Sequence, residues 1–403
     1  MSHAAASEPA DGAGLVGPVD VGPVAHGGHC VARHGDGTGP ARVIFVRHAL
    51  PGERVMVRLT DTSHDRFWRG DAVQVLDPSA DRVTPTCPVA GPGGCGGCDF
   101  QHVDLAAQRR LKAQVVAEQL ARLAGIVTDV TVEEVPHPEV TNGRGWRTRL
   151  HWVADEHGRP GLRAHRSHQV VVPEPGCELA SVRVPAPGSD WPAGQDVWTV
   201  GGMDAQAVLA GTELVHGPPR LRERAAGRNW TVDAGGFWQV HPAAADTLAA
   251  AVLDGLRPVP GERAFDLYCG VGLFAGTLAE RGLQVWGVES ARAAVRRAEQ
   301  NLTGLDVRFT VGRVERVLDR LPRHTDLVVL DPPRSGAGKR VMEQVVGRRP
   351  RAVAFVACDP AALARDLGIA QGLGYAMTSL RAYDLFPMTS HVECVAILSP
   401  PAK

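Results

Sequence analysis

The chain has 403 residues and almost no net charge, −1 at neutral pH, so it offers no general attraction to a polyanion. Any affinity for nucleic acid must therefore come from local patches. Lysine is scarce: Lys112, Lys339 and Lys403 are the only ones, and arginine supplies the other cations, so arginine richness alone marks no interface. No apolar stretch reaches membrane-spanning length, and no basic start leads into an apolar core. Neither a membrane partner nor an export signal is expected, and the location expected is cytoplasmic. The 16 histidines show no metal-ligand spacing, and no internal repeat is visible.

With 44% hydrophobic residues the chain can bury several cores. Three domains are expected after an Ala/Gly/Ser/Pro-rich leader over 1–17, which has no apolar period and reads as disordered. They are a small β-barrel over 18–77, a central α+β domain over 78–234 and an α/β domain over 235–403. The eight cysteines divide into four metal ligands, one nucleophile, and Cys30, Cys269 and Cys394 as structural residues.

Cys358 is the nucleophile candidate. It follows the apolar run Ala-Phe-Val-Ala, which reads as a buried parallel strand. In open α/β sheets ligands bind outside the carboxyl ends of the strands, so a thiol there faces chemistry. Most unpaired cysteines are simply buried hydrophobes, and the neighbouring strands decide between the two readings. Arg263 to Tyr268 reads as a strand that runs into Cys269-Gly270-Val271-Gly272 and a helix through Ala279. Gly270 and Gly272 let backbone approach a ligand. Val285 to Glu289 is a second strand, and Glu289 follows Asp266 at the spacing of an acid that accepts hydrogen bonds from ribose hydroxyls. That much also fits a dinucleotide enzyme. Asp326 to Leu330 then delivers Asp331-Pro332-Pro333-Arg334, which is typical of S-adenosylmethionine enzymes acting on nucleobases. Asp266, Glu289, Asp331 and Cys358 would wall a single site. The residue after Asp-Pro-Pro is arginine and not aromatic, which favours methylation of carbon.

Phe237-Trp-Gln-Val240, Asp266-Leu-Tyr-Cys-Gly-Val-Gly272, Asp331-Pro-Pro-Arg334, Cys358-Asp-Pro360 and Phe386-Pro-Met-Thr-Ser-His-Val-Glu393 together closely resemble the RNA 5-methyluridine methyltransferase family. The resemblance implies a class I, Rossmann-like methyltransferase domain. It also implies S-adenosylmethionine contacts from Gln239, Tyr268, Glu289 and Asp331, Cys358 as nucleophile and Glu393 as general base on a turn into the last strand. Its substrates are RNA, with ribosomal RNA expected ahead of transfer RNA and a monomer as the acting form. Leu273, Arg313 and Asp359 depart from the family pattern. Cytosine methylation and a non-catalytic, redox-sensing RNA-binding role are the alternative readings.

The N-terminal half concerns how RNA is held. Alternating strands at Ala41–Arg47 and Arg54–Leu59, joined by Gly/Pro turns, indicate a small barrel that resembles a TRAM domain, an OB-like RNA-binding module. Cys87, Cys95 and Cys98 form C-x7-C-x2-C, with Cys177 far downstream. In a chain expected to stay reduced this is a ligand set, and four thiolates suit zinc or an iron–sulfur cluster. The family resemblance implies a 4Fe–4S cluster. Asp104 to Leu123 reads as a helix closed by Gly125. From Asn142 to Gln169 six arginines face only Asp155 and Glu156, and Trp146, Arg147, Arg149, Arg163 and Arg166 are the RNA-binding candidates, with Trp152 as a second stacking residue.

Overall fold

A computed structural model describes residues 14–35 and 41–401. Residues 1–13 of the expected leader lie outside the described residues. The first strand opens at Leu15, inside the span assigned to the leader, so the barrel begins three residues earlier than expected.

Five strands form that barrel: β1 (Leu15–Ala25), β2 (His29–His34), β3 (Arg42–Arg47), β4 (Arg54–Asp61) and β5 (Phe67–Asp77). They close in the order β1-β2-β3-β5-β4, because β1 pairs with β4 as well as with β2. Alternation puts Val19, Val21, Ile44, Val46, Val55 and Val57 inside. Helix α1 (Leu105–Ala124) follows the cysteine loop. The Asp104 carboxylate caps it by accepting from the amides of Ala106 and Ala107, and Gly125 ends it in the left-handed conformation. It is buried on two sides. Ala107, Leu111 and Val115 join the barrel core, whereas Val116 and Leu120 join the core of the large sheet.

The central region contains β6 (Val132–Glu134), β7 (Arg149–Ala154), β8 (Pro160–Arg163), β9 (Val170–Val171), β10 (Asp196–Gly201), β11 (Gln206–Ala210) and β12 (Glu213–His216). All but β6 form one six-stranded sheet, in which β7 and β8 pair as an antiparallel hairpin around Asp155. The boundary expected at 234/235 is not a break in packing. Strand β6 pairs with the edge of the C-terminal sheet, and the hairpin of β13 (Arg220–Ala225) and β14 (Arg228–Asp233) places Trp230 and Val232 in the C-terminal core.

The C-terminal domain alternates helix and strand: α2 (Ala244–Leu256), β15 (Arg263–Leu267), α3 (Leu273–Ala279), β16 (Gln284–Glu289), α4 (Arg292–Asn301), β17 (Val307–Val311), α5 (Val314–Val317), β18 (Leu327–Leu330), α6 (Lys339–Val346), β19 (Ala352–Ala357), α7 (Pro360–Gly372), β20 (Ala376–Asp384) and β21 (Glu393–Ser399). The sheet order is β17-β16-β15-β18-β19-β21-β20-β6. Strands β15 to β19 run parallel, and β21 is antiparallel to both its neighbours. This is the class I methyltransferase arrangement with β6 added at one edge. β18 and β19 are buried at every position, as central strands covered on both faces must be. Strand order reverses between β15 and β18, so their carboxyl ends border the crevice where such sheets bind ligands. No helix among the described residues is long and apolar enough to cross a membrane.

Candidate active site

Asp266 sits in β15 with its carboxyl fully buried. One oxygen accepts from the Ala275 amide at 2.7 Å and the other has no partner. Burial, with Asp331 and Glu289 nearby, pushes its pKa up to about 8. Glu289, at the end of β16, accepts from the amides of Gly270 at 3.2 Å and Ala291 at 2.8 Å, which fixes its carboxylate at the mouth of the crevice. Tyr268 has a φ of 67°, a conformation uncommon for a residue with a side chain, and lies directly between the strand and the glycine turn. Beside Gly270, at a φ of 53°, a Cβ would meet nothing. Gly272 has a φ of 94°, and a Cβ there would lie 3.0 Å from Leu302, so glycine at this position also permits close packing against the Leu302 side chain. Leu273 is buried in the core at the start of α3. Gln239 is partly exposed on the loop before α2, between buried Trp238 and half-buried Val240, and Phe237 projects from that loop at 71% exposure.

Asp331 follows β18, and desolvation raises its carboxyl to about 7. It connects two groups of residues, since it bears on Asp266 on one side and on Cys358 and Glu393 on the other. Cys358 and Glu393 are cross-strand neighbours. The β19–β21 register ends by pairing Ala357 with Cys394, which makes Cys358 and Glu393 the next residues beyond that pair on the two chains. Glu393 is the first residue of β21 and not part of a turn. It is only 4% exposed, which rules out a surface carboxylate. Burial and then Asp331 push its carboxyl well above the usual range, while Arg334 opposes them. Burial, followed by Glu393, raises the Cys358 thiol to about 11, again against Arg334. Asp359 caps α7 by accepting from Ala362 at 2.8 Å and pairs with His26 of the barrel at 3.0 Å.

The unpartnered Asp266 oxygen, the open space beside Gly270 and the Glu289 carboxylate make a cradle of polar acceptors. That set of acceptors fits a cofactor with ribose hydroxyls and a cationic amino-acid tail. In the cysteine lobe, Cys87, Cys95, Cys98 and Cys177 line one small cavity with Ala90, Leu162, Pro173 and Leu179. The amide of Gly97 donates to Cys95 at 3.3 Å and the Gln101 side chain donates to Cys98 at 3.5 Å. Among the described residues no group of three or more His, Cys, Asp or Glu is arranged to hold a metal ion. Four sulfurs around one cavity are a donor set that suits zinc or an iron–sulfur cluster alike.

The RNA-binding candidates do not stay together. Trp146 is fully buried against Leu179 and Met388, and Trp152 is buried with its indole donating to Thr199, so neither offers a face to a base. Arg149 is buried against Glu223 at 3.8 Å. These residues belong to the core under the hairpin. Arg147 is partly exposed, and Arg163 and Arg166 are exposed. Sequence reasoning missed a run of rings on the barrel face: His64 stacks on Phe67 at 4.5 Å, Phe67 meets Phe45 at 5.4 Å, and His29 lies 6.3 Å from Phe45 and 6.2 Å from His165. Arg69 lies over Phe67 at 4.8 Å. The alternation of β3 and β5 carried the signal, because it leaves Phe45 and Phe67 outside the barrel.

Residues 14–73 match the TRAM domain family. The chain is 49% identical to an RNA methyltransferase of Streptomyces coelicolor, across 98% of this chain and 95% of that one. It is 30% identical to the 23S rRNA (uracil(1939)-C(5))-methyltransferase of Shewanella sp. strain ANA-3, across 92% of this chain and 93% of that one. This chain belongs to the RNA 5-methyluridine methyltransferase family. As an RNA methyltransferase of that family it depends on S-adenosylmethionine. The tRNA (uracil-54, C5)-methyltransferase of Pyrococcus abyssi, solved with S-adenosyl-L-homocysteine, shares the fold of this RNA methyltransferase. Its TM-score is 0.69 at 23% identity, over 92% of this chain and 99% of that one.

Proposed function

We propose that this enzyme methylates carbon 5 of a uridine in RNA, ribosomal RNA ahead of transfer RNA, through a covalent bond between Cys358 and carbon 6. The observation that carries this reading is the register that brings Cys358 and Glu393 together beside Asp331. Asp266, Glu289, Asp331, Tyr268 and Gln239 would hold S-adenosylmethionine, which supplies an electrophilic methyl group when bound. Uracil carbon 5 is a poor nucleophile until something adds at carbon 6. Cys358 adds there as its thiolate, the thiol proton having passed to solvent, and carbon 5 becomes nucleophilic as an enolate. After carbon 5 has gained its methyl group it still carries a proton. The Glu393 carboxylate takes that proton, the double bond re-forms, and the sulfur leaves. Burial raises the pKa of Glu393, so once ionised its carboxylate is a stronger base than one at the surface.

Cys87, Cys95, Cys98 and Cys177 would hold a 4Fe–4S cluster, and iron and sulfide assays on anaerobically purified protein test that assignment; zinc alone would overturn it. The ring-bearing barrel face, with Arg69, Arg163 and Arg166, is the surface offered to RNA, and the enzyme works as a cytoplasmic monomer. The function is tested by incubation with methyl-labelled S-adenosylmethionine and, separately, unmodified large-subunit ribosomal RNA and transfer RNA. Labelled 5-methyluridine in the ribosomal pool is expected. Label on cytidine, or RNA binding without label, would refute it.

A further inference from the structure

Glu393 is preceded by a loop, Leu385 to Val392, in which Phe386, Met388 and Ser390 are held by groups from outside its own domain. Met388 stands at a φ of 66°, which a residue with a Cβ holds only when its surroundings over-determine it. Its amide donates to the Gln108 side-chain oxygen at 2.8 Å, its carbonyl accepts from the Phe100 amide at 3.0 Å, and its sulfur accepts from Gln108 Nε2 at 3.3 Å. Gln108 is fully buried and also donates to the carbonyls of Phe100 at 3.0 Å and Val103 at 2.9 Å, so it has no freedom to follow the loop elsewhere. Two residues on, one Asp99 oxygen accepts from both the amide and the hydroxyl of Ser390, at 3.0 and 2.9 Å. Buried Lys112 holds the loop's start through Asp384 at 2.6 Å and the Phe386 carbonyl at 3.0 Å.

These contacts come from one segment, Asp99 to Lys112, which begins directly after Cys98 and lies about 280 residues earlier in the chain. The barrel closes over the same junction. A Cβ on Gly28 would lie 2.7 Å from Ser390 and 3.2 Å from Asp99, and Arg47 approaches Asp99 at 4.0 Å.

We propose that Asp99 and Gln108 are positioning residues for Glu393, fixing the loop through Ser390 and Met388 so that the base faces the Cys358 adduct. The inference rests on the mechanism proposed above. Its consequence is step-specific. Addition of sulfur and gain of the methyl group need Cys358 and the cradle, which sit on β15, β16, β18 and β19 and their loops. Only proton removal needs the base in register. Loosening the loop therefore leaves the methylated adduct formed but slow to resolve.

The test uses the full-length enzyme in excess over RNA with methyl-labelled S-adenosylmethionine. It compares Asp99→Ala, Gln108→Leu and Ser390→Ala with wild type and Glu393→Gln. Label is followed both in the denaturant-stable protein–RNA adduct and in released RNA. The clamp variants should keep total methyl incorporation within about threefold of wild type while release slows tenfold or more, so that adduct accumulates as in Glu393→Gln. Ser390→Ala, a partly exposed site that keeps its backbone bond to Asp99, should fold and show the same shift to a smaller degree. Asp99→Asn, which retains an acceptor, should restore release towards wild type. Adduct and released product falling together would mean a merely structural role and would overturn the proposal. Adduct accumulation in Glu393→Gln but in none of the clamp variants would overturn positioning alone. No adduct in Glu393→Gln itself would remove the base assignment and the positioning claim with it.

Discussion

The Cys358 thiol is raised from the ordinary value of 9.0 to about 11, first by burial and then by Glu393. At pH 8 such a thiol holds about a hundredfold less thiolate than an ordinary one. The higher basicity makes each thiolate more nucleophilic, with a Brønsted slope of about 0.4–0.5, which returns roughly eightfold over that difference. The free enzyme should therefore react with a small neutral disulfide, such as hydroxyethyl disulfide, roughly tenfold more slowly at Cys358 than a small thiol of ordinary pKa does. Mass spectrometry of the Cys358 peptide separates it from the cysteine lobe. Between pH 7 and 9.5 the rate should rise about tenfold per pH unit without levelling, because a group titrating near 11 is still almost wholly protonated there. Arg334 favours the thiolate, so Arg334→Gln should slow the reaction further at every pH. A plateau at or below pH 9, or no effect of Arg334→Gln, would refute the electrostatic picture of this site.

Lys112→Met should destabilise the fold by about 3–5 kcal/mol in urea unfolding, because it strands the Asp384 carboxylate in a buried site. Leu273→Asn should lower the melting temperature without strengthening S-adenosylmethionine binding by calorimetry, because it puts an amide where position 273 packs in the core. Glu53 is almost fully buried, yet hydrogen bonds from Arg82, Ser79 and Leu50 outweigh that burial and hold its pKa below the usual range. Its stabilisation is therefore present above about pH 4.5 and lost as pH falls through the lowered value, and Glu53→Gln should flatten the acid limb of a stability–pH profile. Phe67→Ala should weaken RNA binding by about 1–3 kcal/mol in a filter assay while leaving cofactor binding intact.

The parallel strands were legible because β18 and β19 are continuous apolar runs ended by Asp331 and Cys358, and a residue at a strand's carboxyl end has only the crevice to face. Helix α1 was legible from Asp104 and Gly125, whose side-chain and backbone chemistry mark its ends. Burial was not legible where one residue type serves both core and surface. Trp146 and Arg149 sit in an arginine-rich stretch that reads as an RNA footprint, but tertiary packing under the hairpin takes them inside. The approach of Cys358 to Glu393 depends on the β19–β21 register. The hold on Glu393's loop depends on Gln108 and Asp99, which have no local periodicity to announce them. Such contacts between segments far apart in sequence appear only once the chain is folded.

The most direct test of the central claim is the mass of the Cys358 peptide after incubation with S-adenosylmethionine and ribosomal RNA in which uridine is replaced by 5-fluorouridine, whose carbon 5 carries no proton for Glu393 to remove. The account predicts a stable adduct on Cys358 that carries both the nucleotide and one added methyl group. An unmodified Cys358 peptide alongside turnover of ordinary RNA, or an adduct on another residue, would contradict it.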